Sequence, residues 1–153
     1  MISYFFIHLI ISKTMKFLLI SLLFTIFQPN HEAKQDLIIN VTNIEAVKGS
    51  VGIAIYNKKE AFPKDNQHYK KYYFKVTKSS MTYKIKDLPK GEYGIAIYHD
   101  KNSDKKCNLN FFGIPTEGYG FSRNFVPKIS APSFKQVKFS FPKTKKLTIK
   151  MIN

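Results

Sequence analysis

Three oxygen-bearing side chains stand at alternating positions in Asp100-Lys101-Asn102-Ser103-Asp104, and an extended, curling loop can turn all three toward one point. This is the spacing by which calcium loops gather hard oxygen ligands at their first, third and fifth positions, and Asn108 falls at the ninth. Asp100, Asn102, Asp104 and Asn108 are therefore the candidate calcium ligands. Lys105 stands where the turn glycine is expected and Phe111 where the bidentate acid is expected, while Lys101, Lys105 and Lys106 repel a cation. A solvated loop closed by Asx turns is the stronger reading. A zinc site would need His99 and Cys107 with a third ligand such as His68 or Asp104, and two ligands eight residues apart in a loop are weak support for it.

Catalytic chemistry has less to work with. There is no G-x-S-x-G elbow, and Ser122, His99 and Asp100 make a poor triad because adjacent residues of an extended chain point to opposite sides. Asp104 and Glu117 are two of the few acids and form the one candidate acid/base pair, the basis of an alternative reading as a small secreted hydrolase. Binding fits better. Phe111, Phe112, Tyr119, Phe121 and Phe125 are interleaved with Asn108, Asn110, Glu117, Arg123 and Asn124, so ring faces stand beside directional hydrogen-bonding groups. The same rings could instead plug one open end of the core, which would leave a purely structural envelope domain. The expected function is a non-catalytic binding or interaction module at the cell envelope. Its site is Asp100, Asn102, Asp104, Glu117, Tyr119, Phe121 and Arg123, and its partner is a carbohydrate, a peptide or an anionic envelope polymer. No cofactor is expected beyond the calcium candidate, and no nucleic acid.

These residues lie in one stretch, His99 to Ser133, that has little periodicity and is far longer than an ordinary connection of about 4 to 6 residues. The rest of the chain from Gln35 alternates with period two. The expected strands are Asp36 to Val41, Ser50 to Tyr56, Tyr69 to Val76, Met81 to Ile85, Glu92 to Tyr98, Phe134 to Phe141 and Lys146 to Met151. No window carries a helical stripe of useful length. The fold class predicted is an all-β, immunoglobulin-like or transthyretin-like antiparallel β-sandwich of about seven strands with one long ordered loop.

Two strands share the pattern K-G-x-x-G-I-A-I-Y, at Lys48 to Tyr56 and Lys90 to Tyr98. The pattern reads as two central strands solving one packing problem rather than as a site. In Leu88-Pro89-Lys90-Gly91-Glu92-Tyr93, the Tyr93 ring can cover the core while its hydroxyl satisfies a corner backbone group.

The chain has 153 residues, a formal net charge of +15 and one cysteine, which excludes a disulfide framework and cysteine-rich metal sites. Apolar runs at Ile2 to Ile11 and Phe17 to Phe27 surround Lys13 and Lys16, the layout of an export signal. Residues 1–33 are expected to be a signal peptide, with Met15 as a possible true start, and 34–153 the mature domain, exported to the periplasm or beyond with no stable transmembrane anchor. A net +14 stays on residues 34–153, and 24 of the 25 cations are Lys. The guanidinium fork favoured in base and phosphate recognition is nearly missing, so the charge reads as wet strand faces with a diffuse attraction to anionic polymers or headgroups.

Several strings carry a family resemblance: Gly49 to Tyr56 followed by Ala61-Phe62-Pro63, Gly91 to Asn102, Gly113 to Ser122, and Ala131-Pro132-Ser133-Phe134. Over Leu37 to Ile149 the chain resembles an uncharacterised family of exported bacterial proteins, domain of unknown function 2141. The resemblance implies a secreted or periplasmic sandwich domain with no assigned activity. Family members often carry a glycine and an acid after the Asp-x-Asn segment. Here Lys105 and Asn108 stand near those places, which argues against carrying a metal over.

Overall fold

Leu37, Ile39 and Val41 are fully buried while the residues between them are half-buried, so period-two alternation has produced a strand with one dry face. This is β1 (Gln35–Thr42), the first element of a computed structural model that describes residues 35–153. The expected signal segment and the alternative start at Met15 lie outside the described residues. Seven further strands follow: β2 (Ser50–Tyr56), β3 (Lys70–Lys75), β4 (Met81–Leu88), β5 (Gly91–Asp100), β6 (Tyr119–Phe121), β7 (Phe139–Phe141) and β8 (Lys146–Lys150). No helix among the described residues is long and apolar enough to cross a membrane.

The strands form two sheets, ordered β4-β1-β8 and β3-β2-β5-β6, with β7 pairing the first residues of β5. The core lies between them. Leu37, Ile39, Val41, Ile85 and Ile149 on one sheet face Val51, Ile53, Ile55, Ile95 and Ile97 on the other. Each such side chain contributes about 1.5–3 kcal/mol through burial, so the all-β sandwich holds by packing without cross-links. Outward lysines on the small sheet, Lys84 and Lys150, are exposed as alternation requires. Tyr93 closes its corner as expected, its hydroxyl donating to the Pro89 carbonyl at 2.9 Å.

The structure corrects the expected architecture in three places. The pairing is not antiparallel throughout, because β1 and β8 run parallel, with Ile39 opposite Leu147 and Val41 opposite Ile149. Parallel neighbours need a long crossover, and here it is everything between them in the chain. The expected strand Phe134 to Phe141 is split into one helical turn, α1 (Phe134–Val137), and β7. The N–H and hydroxyl of Ser133 both donate to the Gln136 side-chain carbonyl, at 2.8 and 2.9 Å, and start that turn. Val137, Phe139 and Phe141 are nonetheless all buried, because Lys138 is already extended where the turn ends. The long unpatterned stretch is also interrupted: β5 runs on through Asp100, and Tyr119–Phe121 forms β6 against Ala96–Tyr98, leading into a 3-10 turn at Ser122–Asn124.

Candidate functional site

The two copies of K-G-x-x-G-I-A-I-Y are hydrogen-bonded neighbours, β2 and β5, running antiparallel with Ile53 opposite Ile97, Ala54 opposite Ala96 and Ile55 opposite Ile95. The isoleucines point into the core. Alternation sends Gly52, Ala54 and Tyr56, with Gly94, Ala96 and Tyr98, to the outer face of the larger sheet. The glycine at 52 is required there, because a Cβ would lie 2.5 Å from the Tyr98 ring. A second apolar cluster covers part of this face and contains Tyr56, Phe62, Phe121 and Val137, with Tyr119, Phe125 and Phe134 packed against it.

The cover is incomplete. A cavity of about 640 Å³ lies on the outer face, floored by Ala54 and Ala96 between Tyr56 and Tyr98, and flanked by Tyr119 and Phe121. Its walls come from two loop segments, Cys107, Leu109 and Phe112 to Pro115 from one and Pro127 to Ala131 from the other, with Asp65, Lys71, Lys106 and Lys128 supplying the charge. Lys71 is ion-paired with Asp65 at 3.2 Å and lies over the Tyr73 and Tyr98 rings. The Lys71 partner holds the Asp65 carboxyl below its usual range. Lys106 and Lys128 have no ion pair among the described residues. Among groups on the cavity, the Cys107 thiol is pushed up to about 11, first by desolvation and then by the Glu117 carboxylate, although the residue as a whole is exposed. The Tyr98 hydroxyl is also pushed up, first by burial and then by the Tyr73 hydroxyl 3.1 Å away.

One wall is fixed by a cage of side-chain-to-backbone hydrogen bonds at the end of β5. Asp100 is fully buried, and its carboxylate accepts from the N–H of Asp104 at 3.1 Å, the N–H of Lys105 at 3.0 Å and the Ser50 hydroxyl at 3.3 Å. Asn102 Oδ1 accepts from the Asp104 N–H at 3.2 Å, and Asp104 Oδ1 from the Lys106 N–H at 2.8 Å, which is the main reason its carboxyl is held low. The Lys105 carbonyl then accepts both the Tyr73 and the Tyr98 hydroxyl at 2.9 Å, tying the loop to the sheet. Asn102 and Asp104 each close an Asx turn, and Asp100 reaches the N–H groups four and five residues on, so together they shape the loop. The Asn108 Oδ1 is buried without a hydrogen-bond partner. Among the described residues no three His, Cys, Asp or Glu side chains stand close enough to hold a metal ion.

The remaining candidates fall elsewhere. Glu117 is buried, with Oε1 accepting the Lys101 N–H at 2.8 Å and Oε2 unpartnered, and neither it nor Asp104 lines the cavity. His99 points into the interior, where Nε2 lies 2.9 Å from the Lys48 carbonyl; a carbonyl only accepts, so Nε2 is the donor. Ser122 is a buried tie, accepting from the Ile95 N–H at 3.0 Å and donating to the Val137 carbonyl at 2.7 Å. Arg123 is exposed in a left-handed backbone conformation and does not line the cavity.

Of the seven residues expected to form the site, Tyr119 and Phe121 line the cavity and the other five do not. Sequence reasoning missed the floor, Ala54 and Ala96, and the wall around Ile129. The signal was present in the repeated pattern, whose two alanines must share one face once the copies pair.

A family model described as an uncharacterized protein conserved in bacteria (DUF2141) matches residues 39–150, and the chain belongs to that family. No curated protein and no solved structure matches the chain.

Proposed function

We propose that this DUF2141 domain is an exported, non-catalytic binding protein of the cell envelope. Its ligand is a small amphipathic molecule, apolar along its body and anionic at one end, seated between the outer face of the large sheet and the long loop. The observation that carries the reading is the 640 Å³ cavity floored by Ala54 and Ala96. A space of that size, lined mostly by apolar side chains with a few charges, is what small-molecule sites look like. The anionic end is assigned from Lys106 and Lys128, which bring positive charge to the rim, whereas Lys71 is already matched by Asp65.

The geometry favours this ligand over the carbohydrate, peptide or polymer considered from sequence. Phe121 is buried and Tyr119 half-buried, packed edge to face at 5.9 Å, so neither offers a broad open ring face for a sugar to stack on. A hydrolase reading has little support, since the two candidate carboxylates bind backbone N–H groups and stand off the cavity.

The test is isothermal titration with medium-chain fatty acids, the matching alcohols and a set of neutral sugars, on the wild type and on Ala96→Leu, which fills the floor. Saturable binding of the acids, weaker binding of the alcohols and at least about a tenfold loss in Ala96→Leu are expected. Binding that ignores the substitution, or no binding by any of them, sinks the proposal in favour of a structural envelope domain.

A further inference from the structure

The cavity wall from Asn108 to Thr116 is a small hairpin with an unusual surface. Thr116 N–H donates to the Asn108 carbonyl at 2.8 Å, Asn110 N–H to the Ile114 carbonyl at 2.8 Å, and Asn110 Oδ1 accepts from the N–H groups of Phe112 and Ile114 at 2.9 and 3.0 Å. Gly113 takes a positive φ of 74° to complete the turn. A turn this fully hydrogen-bonded holds its side chains in fixed directions, and it holds Phe111 97% and Phe112 81% exposed, edge to face at 5.6 Å. Ile129, which lines the same cavity as Phe112, is 100% exposed. Ordered apolar tips of this kind mark an interaction surface.

The charge around them identifies the partner. Lys106 precedes the hairpin and Lys128 adjoins Ile129; neither is in an ion pair among the described residues, whereas Lys105 lies over the Tyr73 ring at 6.0 Å. The unit they belong to carries a net +14. Aromatic and aliphatic tips on a cavity that Lys106 and Lys128 also line match an anionic bilayer, whose headgroups attract the cations while the tips enter the acyl boundary. We infer that the Phe111-Phe112 tip and Ile129 dock the protein on the surface of anionic membranes, holding the mouth of the cavity at the lipid boundary. The inference needs the exposed tips and their lysines only, and it stands whether or not the cavity takes a ligand.

The chain contains no tryptophan, so Phe111→Trp installs a single fluorophore at a residue that does not line the cavity. In the full chain, vesicles of equal phosphatidylglycerol and phosphatidylcholine should shift its emission to the blue, and lipids brominated on the acyl chain should quench it. Phosphatidylcholine alone should do neither. A reporter placed by Tyr69→Trp, beside Ile55 at the end of the large sheet away from the Ser50–Asp100 pair, should stay unchanged. Adding Lys106→Glu and Lys128→Glu to Phe111→Trp should weaken the apparent partitioning at least about tenfold. Ala96→Leu should leave the position-111 signal intact, so failure of the cavity proposal reads separately from failure of this one. The inference is overturned by a reporter that stays in water with anionic vesicles, by an equal response to neutral vesicles, or by a blue shift that needs only higher protein concentration, which would make the tip a contact between copies of the chain.

Discussion

The pair β2 and β5 presents two faces built from the same repeated residues, and they do different things. On the inner face Ile53, Ile55, Ile95 and Ile97 pack with residues of the small sheet in one buried cluster. On the outer face the alternate positions hold glycine, alanine and tyrosine, so the rings rise at the ends of a shallow trough and the middle stays low. Large branched side chains fill space where a second sheet supplies partners; small ones leave it open where only loops arrive. One pattern therefore encodes a packed core on one side and a container on the other.

That contrast can be broken from either side. Ile97→Ala should cost about 2–5 kcal/mol, measured by urea unfolding, because the inner face has no slack to collapse into the gap. A cost below about 1 kcal/mol would mean the inner face is not close-packed. For the outer face, Cys107 reports on the cavity wall: with its thiol at about 11, alkylation at pH 8 should run roughly two orders of magnitude slower than that of an ordinary thiol, because far less thiolate is present. The rate should rise with pH toward that value, and a plateau near pH 9 would show that the wall is wet. Asp100→Ala removes an acceptor from three donors and should cost about 1–3 kcal/mol, with faster hydrogen exchange at Asp104 and Lys105. Tyr93→Phe deletes a single bond to Pro89 and should cost about 1 kcal/mol. Ala96→Leu should change stability least, by about 0.5 kcal/mol or less, since it grows into open space. A large loss there would mean the trough is as tightly packed as the core.

Which parts were legible follows from the range of the interactions that make them. β2 was read with both its ends correct, and β1 nearly so, because a half-buried strand writes its face into every second residue. The corner at Tyr93 was legible because its partner Pro89 is four residues away. Tyr119-Gly120-Phe121 was not read as a strand, since three residues with glycines at 118 and 120 carry too short a pattern, and its pairing with Ala96–Tyr98 lies in another part of the chain. The turn at Phe134–Val137 was hidden by buried positions that alternate across it, although the Ser133-x-x-Gln136 spacing was a usable local cue. Asp100, Asn102 and Asp104 bind backbone N–H groups of their own loop, and their spacing alone does not say that these are their partners. The cavity was least legible of all, because Ala54 and Ala96 acquire meaning only when β2 and β5 pair and the 106–115 and 127–131 segments fold over them.

The parallel seam between β1 and β8 governs when this molecule can finish folding. β1 is the centre of its sheet, yet one of its neighbours belongs to a distant part of the chain; at the end of the seam the Asn43 amide meets the Met151 carbonyl across 108 positions. Closing a loop of that length costs roughly 4 kcal/mol of chain entropy before any contact repays it. The antiparallel β1–β4 and β2–β5 pairs close shorter loops and should form earlier, with β8 arriving late and folding falling in the slow, millisecond-to-second range of sandwich domains. Until β8 arrives, β1 offers a full row of unpaired N–H and C=O groups on one side, and in that interval the chain is most exposed to pairing with a copy of itself.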